Sequence, residues 1–200
     1  MLAEATAPET PRAAPAMCRG ELDLARQLLE AALPDTWAEG RGGADGAGGS
    51  CGPPALGAEL LRWPEVVWLA GQAAQCPVPP GWCRCWDECG RELFVHEFGV
   101  FLPQRLHPLF GYFVGFTSIA MGAGGLARAR LAAELQQARE RIASDAEAIA
   151  TCWSGPFPSG SGQQWLSKVT GWCTAADPLA AARHLAGVLG GLEASLLGAP

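Results

Sequence analysis

A run of nineteen uncharged residues, Leu109 to Ala127, bounded by His107-Pro108 and Arg128, constrains this chain more than any other feature. Such a run has to leave water. It either crosses a bilayer, which takes about 20 apolar residues, or is buried or docked against neighbouring structure. The Gly111-x-x-x-Gly115 spacing would allow close helix approach. Glycines at 111, 115, 122, 124 and 125 weaken both its hydrophobicity and its helicity in water. Burial or docking is the principal expectation, and a span over 109–127 the alternative.

The rest of the 200 residues divides into small units, because 26 Gly and 16 Pro gather in the first 60 positions, around 76–81 and around 154–162. A net charge of −6 with no basic stripe argues against nucleic acid as a partner. The amino-terminal stretch has neither an amine-rich flank nor a signal-length apolar run, so a cytoplasmic chain with reduced thiols is expected.

Residues 1–17 read as a disordered tail. In 18–37, Leu22, Ala25, Leu28, Leu29 and Ala32 recur at helical spacing before Pro34 ends a short helix. Residues 38–57 form a Gly-rich linker or insertion. The unit 58–113 opens with a helix starting near Pro64, on which Leu61, Val67, Trp68 and Ala74 share a face. Strands follow at Trp82–Asp87, Glu92–His96 and Gly99–Leu102, the first two joined through Asp87-Glu-Cys-Gly90. Residues 114–125 read as a Gly-rich apolar connector. In 126–200, Leu131, Leu135, Ala138, Ile142, Ala146 and Ile149 predict a long helix. A break at 154–162 follows, and then a closing helix after Asp177-Pro178 carries Leu179, Ala182, Leu185, Val188, Leu189 and Leu192. The fold class is α+β: a small antiparallel sheet with a preceding helix, followed by an α-helical C-terminal region.

Pro77-Val-Pro-Pro-Gly-Trp82, then Trp86-Asp-Glu-Cys-Gly-Arg-Glu-Leu-Phe-Val-His96, then His107-Pro108, resembles a WW domain. With Glu65-Val-Val-Trp68-Leu-Ala ahead of it, the segment is similar to the helix-plus-WW arrangement at the amino terminus of a centrosomal distal-appendage protein family, which recruits a tau-tubulin kinase during cilium formation. The resemblance covers roughly a third of the chain. It implies a structural buckle in which Trp82 packs on Pro79 or Pro80 and on Pro108, with Phe94 behind. It also implies a protein partner, a peptide or folded domain that includes a kinase among its candidates, at a centriole, basal body or cilium. The module is degenerate: Leu93 stands at the groove Tyr position, Arg105 at the second Trp position, and Pro103 interrupts the third strand.

Trp63, Trp68, Trp86, Phe98, Phe101 and Tyr112 offer more aromatic surface than so small a sheet hides, and with Arg105 they are the candidate partner contacts. For Trp63 and Trp68 the competing role is to pack the helix on the sheet. Cys76, Cys83, Cys85, Cys89 and His96 raise a small zinc module as an alternative, although they lack paired two-residue knuckles. His96, His107 and His184 are the only histidines, and no phosphate loop or nucleophile motif accompanies them. Asp87 and Glu88 read as solvated turn acids, and Cys152 and Cys173 as packing thiols. The chain is expected to be an adaptor or scaffold and not an enzyme, with no cofactor and no metal. Its long helix at 126–153 would pair within the chain or with a second copy as a coiled coil.

Overall fold

A computed structural model describes residues 19–33, 62–99, 101–160 and 162–198. The tail, the Gly-rich insertion and Leu61 lie outside the described residues. The class is α+β, with five helices, a two-stranded sheet and a three-stranded sheet among the described residues.

Helix α1, Arg19–Ala32, buries Ala25, Leu28 and Leu29 of the stripe its spacing predicts, while Leu22 is exposed and Ala32 half-buried. Helix α2, Pro64–Ala74, starts at the expected proline, with the Val66 and Val67 N–H groups donating to the Trp63 carbonyl at 3.0 and 3.3 Å. Its buried stripe is Val66, Leu69, Ala70 and Ala73, one position off the predicted face. The predicted face groups Trp68 with Val67 and Ala74 by helical spacing. In the fold the small Ala70 and Ala73 sit in the core, and the Trp68 ring lies across the closing helix at Gly191, where a Cβ would come within 3.0 Å of it.

Helix α3, Phe110–Gly122, takes up most of the uncharged run. Phe113, Phe116, Thr117 and Ala120 are buried, and the run ends in a 3-10 turn, Ala123–Gly125. The expected connector at 114–125 is therefore largely helix, and the unit boundary at 113 falls inside α3. No helix among the described residues is long and apolar enough to cross a membrane. Helix α4, Arg128–Cys152, and α5, Ala180–Leu197, pack together, and both lie against α3. Arg139 pairs with Glu193 across them, and Arg128 Nη2 donates to the Leu197 carbonyl at 3.0 Å. One apolar core runs through all five helices.

Strand β1, Trp82–Trp86, pairs antiparallel with β2, Glu92–His96, setting Trp82 opposite His96, Arg84 opposite Phe94 and Trp86 opposite Glu92. Gln104 exchanges both backbone hydrogen bonds with Phe94, at 2.7 and 3.0 Å. The predicted third strand at Gly99–Leu102 is thus a single bridge two residues later, next to Pro103, which has no N–H for a ladder.

The C-terminal region departs most from expectation. Between α4 and α5, where turn-rich composition predicts a break, lies an antiparallel sheet of β3, Trp153–Ser159, β4, Gly162–Ser167, and β5, Cys173–Thr174, in that order. A bulge between Ser154 and Phe157 contains Gly155 at φ +131°, where a Cβ would meet the Gln164 carbonyl at 2.9 Å.

The fully buried Thr117 hydroxyl has no hydrogen-bond partner among the described residues. Replacing it with a methyl group removes a desolvated polar atom at nearly constant shape, so Thr117→Val should raise the unfolding free energy by about 1 kcal/mol. A loss of stability in urea titration would show that the hydroxyl is satisfied.

Candidate binding cleft between the two sheets

The predicted site residues fall into separate groups. Trp63 is half-buried against the helical core, and Trp68 covers Gly191. Tyr112 is half-buried, donates its hydroxyl to Asp145 and carries the Arg141 guanidinium 4.9 Å above its ring. Burial, followed by that hydrogen bond, pushes the Tyr112 phenol up to about 12. These three rings hold elements together.

Trp86, 65% exposed, and Arg105 lie toward the Asp87 turn end of the hairpin. Asp87 organises that turn. Its Oδ1 accepts from the Cys89 and Arg91 N–H groups, both at 2.9 Å, and Oδ2 takes the Arg91 guanidinium at 2.7 Å and that of Arg105 at 3.5 Å. The Arg91 N–H, ahead of its guanidinium and the Cys89 N–H, holds the Asp87 carboxyl below the usual range.

The opposite end of the hairpin forms a site. The Trp82 ring stacks on Phe101 at 5.5 Å and meets His96 edge-on at 5.2 Å, and the Trp82 backbone N–H donates to the Pro79 carbonyl at 3.2 Å. Gly81 turns the Pro79-Pro80 segment into β1 at φ +81°, where a Cβ would lie 3.2 Å from His96 Nε2. A turn closed by the Gly99 N–H on the His96 carbonyl then projects Phe98 outward. Phe98 meets Trp172 of the C-terminal sheet edge-on at 6.2 Å. Phe94 is buried and stacks edge-on against His107 at 5.1 Å, with Pro108 half-buried beside it in sequence.

Between these walls lies a cleft of about 290 Å³. Val78 to Trp82 and His96 to Phe98 form one side, and Cys152, Trp153, Val169, Trp172, Cys173 and Asp177 are among the residues of the other. Phe98, Phe101 and Trp172 are 48%, 56% and 54% exposed, so three large rings at or beside this opening meet water. Sequence reasoning finds Trp82, Phe98 and Phe101 but misses Trp153 and Trp172. Aromatic residues recurring among the Gly, Pro and Ser of 153–172 are the signal available for them.

The cysteines expected to compete for zinc are scattered. Cys83 and Cys85 share the strand face opposite His96, Cys89 sits in the turn, and Cys76 is buried with its thiol pushed up to about 12 by desolvation. Among the described residues no three His, Cys, Asp or Glu side chains form a group able to hold a metal ion. No protein-family model, curated protein or solved structure matches the chain.

His107 links hairpin and core. Its Nδ1 accepts the Leu109 N–H at 3.1 Å, Nε2 has no partner among the described residues, and burial, then Arg84, pushes its pKa down to about 4. The unfolded chain therefore binds a proton near pH 6.5 that the folded chain refuses until about pH 4, so stability falls as pH drops through this window. Between pH 7 and 5 the loss should be on the order of 1 kcal/mol after discounting for partial exposure. Urea titrations at both pH values should show that slope in the native chain and a flatter one in His107→Asn; equal slopes would contradict the assignment.

Proposed function

We propose that this chain is a non-catalytic adaptor that docks a protein partner at the aromatic opening between its degenerate WW-type hairpin and its C-terminal sheet. One observation carries the proposal. Phe98, Phe101 and Trp172 remain about half exposed although a large shared core is available to the chain. Rigid rings of this kind supply contact area at little entropic cost and dominate interface energetics. The cleft volume of about 290 Å³ lies at the lower edge of small-molecule pockets, which suits one or two inserted side chains better than a cofactor.

The histidines are engaged in packing or backbone contacts: His96 between Trp82 and Phe101, His107 against Phe94, His184 on the Gln72 carbonyl at 2.9 Å. That favours binding over acid–base chemistry. The partner type, a folded domain or peptide such as a kinase segment, and the centriole, basal body or cilium as location, rest on the sequence resemblance. The altered groove face carries Cys83, Cys85, Leu93 and Val95 in place of paired aromatics, so docking moves to the Trp82 end.

Proximity labelling in ciliated cells tests this. Phe98→Ala and Trp172→Ala, each with unchanged circular dichroism, should each lose partners from the labelled set, at a cost of about 2 kcal/mol in affinity. Trp86→Ala, at the far end of the hairpin, should retain the set. Full retention by the first two variants would place the docking surface elsewhere.

A further inference from the structure

We infer that the cleft receives the acetylated side chain of a lysine presented by the protein partner, an inference that rests on the cleft being the docking site. Strand register shapes the receiving notch. Trp153 on β3 stands directly opposite Ser167 on β4, and the Ser167 N–H donates to the Trp172 carbonyl at 2.7 Å, one step beyond the Leu166–Cys173 pair. Residues directly opposite one another project to the same face of a sheet. The small serine therefore sits between two indoles, and all three residues line the cleft. Ser167 is only 6% exposed, which makes it the floor of the notch, while Phe98 and Trp172 meet water at its mouth.

The hydrogen-bonding capacity of this wall is one-sided. Ser167 Oγ accepts the Thr170 N–H at 3.2 Å, Thr170 Oγ1 the Trp172 N–H at 3.3 Å, and Thr174 Oγ1 the Ala176 N–H at 3.1 Å. These three hydroxyls line the cleft, and among the described residues none passes its own proton to an acceptor. Each therefore keeps one O–H to donate to a ligand. The facing wall of Val78, Pro79, Pro80 and Trp82 is apolar. Neither carboxylate in the lining offers a free charge: Asp177 pairs with Arg183, and Glu97 accepts the Cys83 thiol, whose strand position faces away from Trp82 and His96. No lysine or arginine lines the cleft.

The matching ligand is an uncharged carbonyl acceptor at the end of a long apolar stem. Acetyl-lysine is such a side chain, with its carbonyl over the hydroxyl floor and its methylenes along the prolines and rings. A lysine ammonium would bring only further donors and a charge that nothing in the cleft neutralises. A carboxylate could accept the hydroxyl protons but would also be buried without a cation, and the net charge of −6 opposes its approach. A glutamine amide adds two N–H donors on a shorter stem.

The test uses the full chain, isotopically labelled at nitrogen, titrated with blocked pentapeptides Ala-Ala-X-Ala-Ala in which X is Nε-acetyl-lysine, lysine, glutamine or norleucine. Norleucine keeps an apolar stem and lacks the carbonyl, so it isolates the acceptor without altering the protein. The acetyl-lysine peptide should shift the indole N–H resonances of Trp153 and Trp172, and the other three should bind about tenfold or more weakly. Ser167→Ala should weaken the acetyl-lysine peptide by about tenfold. If that substitution disturbs amides across the sheet, the peptide series alone decides. Binding of lysine or norleucine as tight as that of acetyl-lysine, undiminished binding to a well-folded Ser167→Ala, or no indole shift with any peptide overturns the inference. Should the cellular partners be lost in Trp172→Ala while acetyl-lysine and norleucine bind alike, docking at the cleft stands and its acyl chemistry falls. An acetyl-lysine-selective cleft whose ring variants keep every cellular partner sinks the docking proposal instead.

Discussion

Helix α3 is apolar on nearly every side, and the rest of the molecule is arranged to cover it. An amphipathic helix needs one packed neighbour, whereas a helix with core residues at 113, 116, 117 and 120 and half-buried Tyr112, Val114 and Ile119 needs several. Helices α1 and α2 pack against it, and so do α4 and α5. Burying a phenylalanine contributes about 1.5–3 kcal/mol, and Phe113 and Phe116 are both essentially inaccessible to water. These residues are where the amino-terminal and carboxy-terminal halves meet, which makes one cooperative core of two segments that share no strand pairing among the described residues.

The opening between the two sheets follows from that arrangement. The hairpin hangs from α2 through Cys76 and the extended Pro77–Pro80 segment and returns to α3 through His107-Pro108. The second sheet begins where α4 ends, with the Lys168 N–H on the Cys152 carbonyl at 2.8 Å and the Lys168 ammonium on the Thr151 carbonyl at 3.0 Å. It finishes at Thr174, shortly before Asp177 accepts the Leu179 N–H ahead of α5. Each wall of the cleft is thus anchored at helix ends that the core holds, and neither sheet has to be stable alone. Rings that a larger sheet would hide remain at the opening, available for contact.

Much of this was legible in the chain itself. The helical stripes of α1, α4 and α5 follow from spacing, Pro64 marks the start of α2, and Asp87 with Gly90 marks the hairpin turn, because each rests on a local constraint. What depends on partners distant in sequence was harder to read. The inward face of α2 turns on whether the small Ala70 and Ala73 or the bulky Trp68 meets the core, and Gly191, more than a hundred residues away, decides where the indole lies. The sheet at 153–174 is masked by glycine and proline in β3, where a bulge and a positive φ at Gly155 accommodate residues that ordinarily end strands. The consequence for the site is direct: Trp82, Phe98 and Phe101 stand out as aromatic residues in and just after the hairpin segment, whereas Trp153 and Trp172 reach the cleft only once that hidden sheet is brought beside the hairpin.

The sharing of one core by both halves is tested most directly by native-state hydrogen exchange on the purified chain and on Phe116→Ala. If α3 is the common support, removing this ring should lower amide protection in α1 and α2 and in α5 by similar factors, with slowly exchanging amides of both halves weakened together. Loss of protection confined to one half, with the other unchanged, would contradict a single core and with it the cleft that the core assembles.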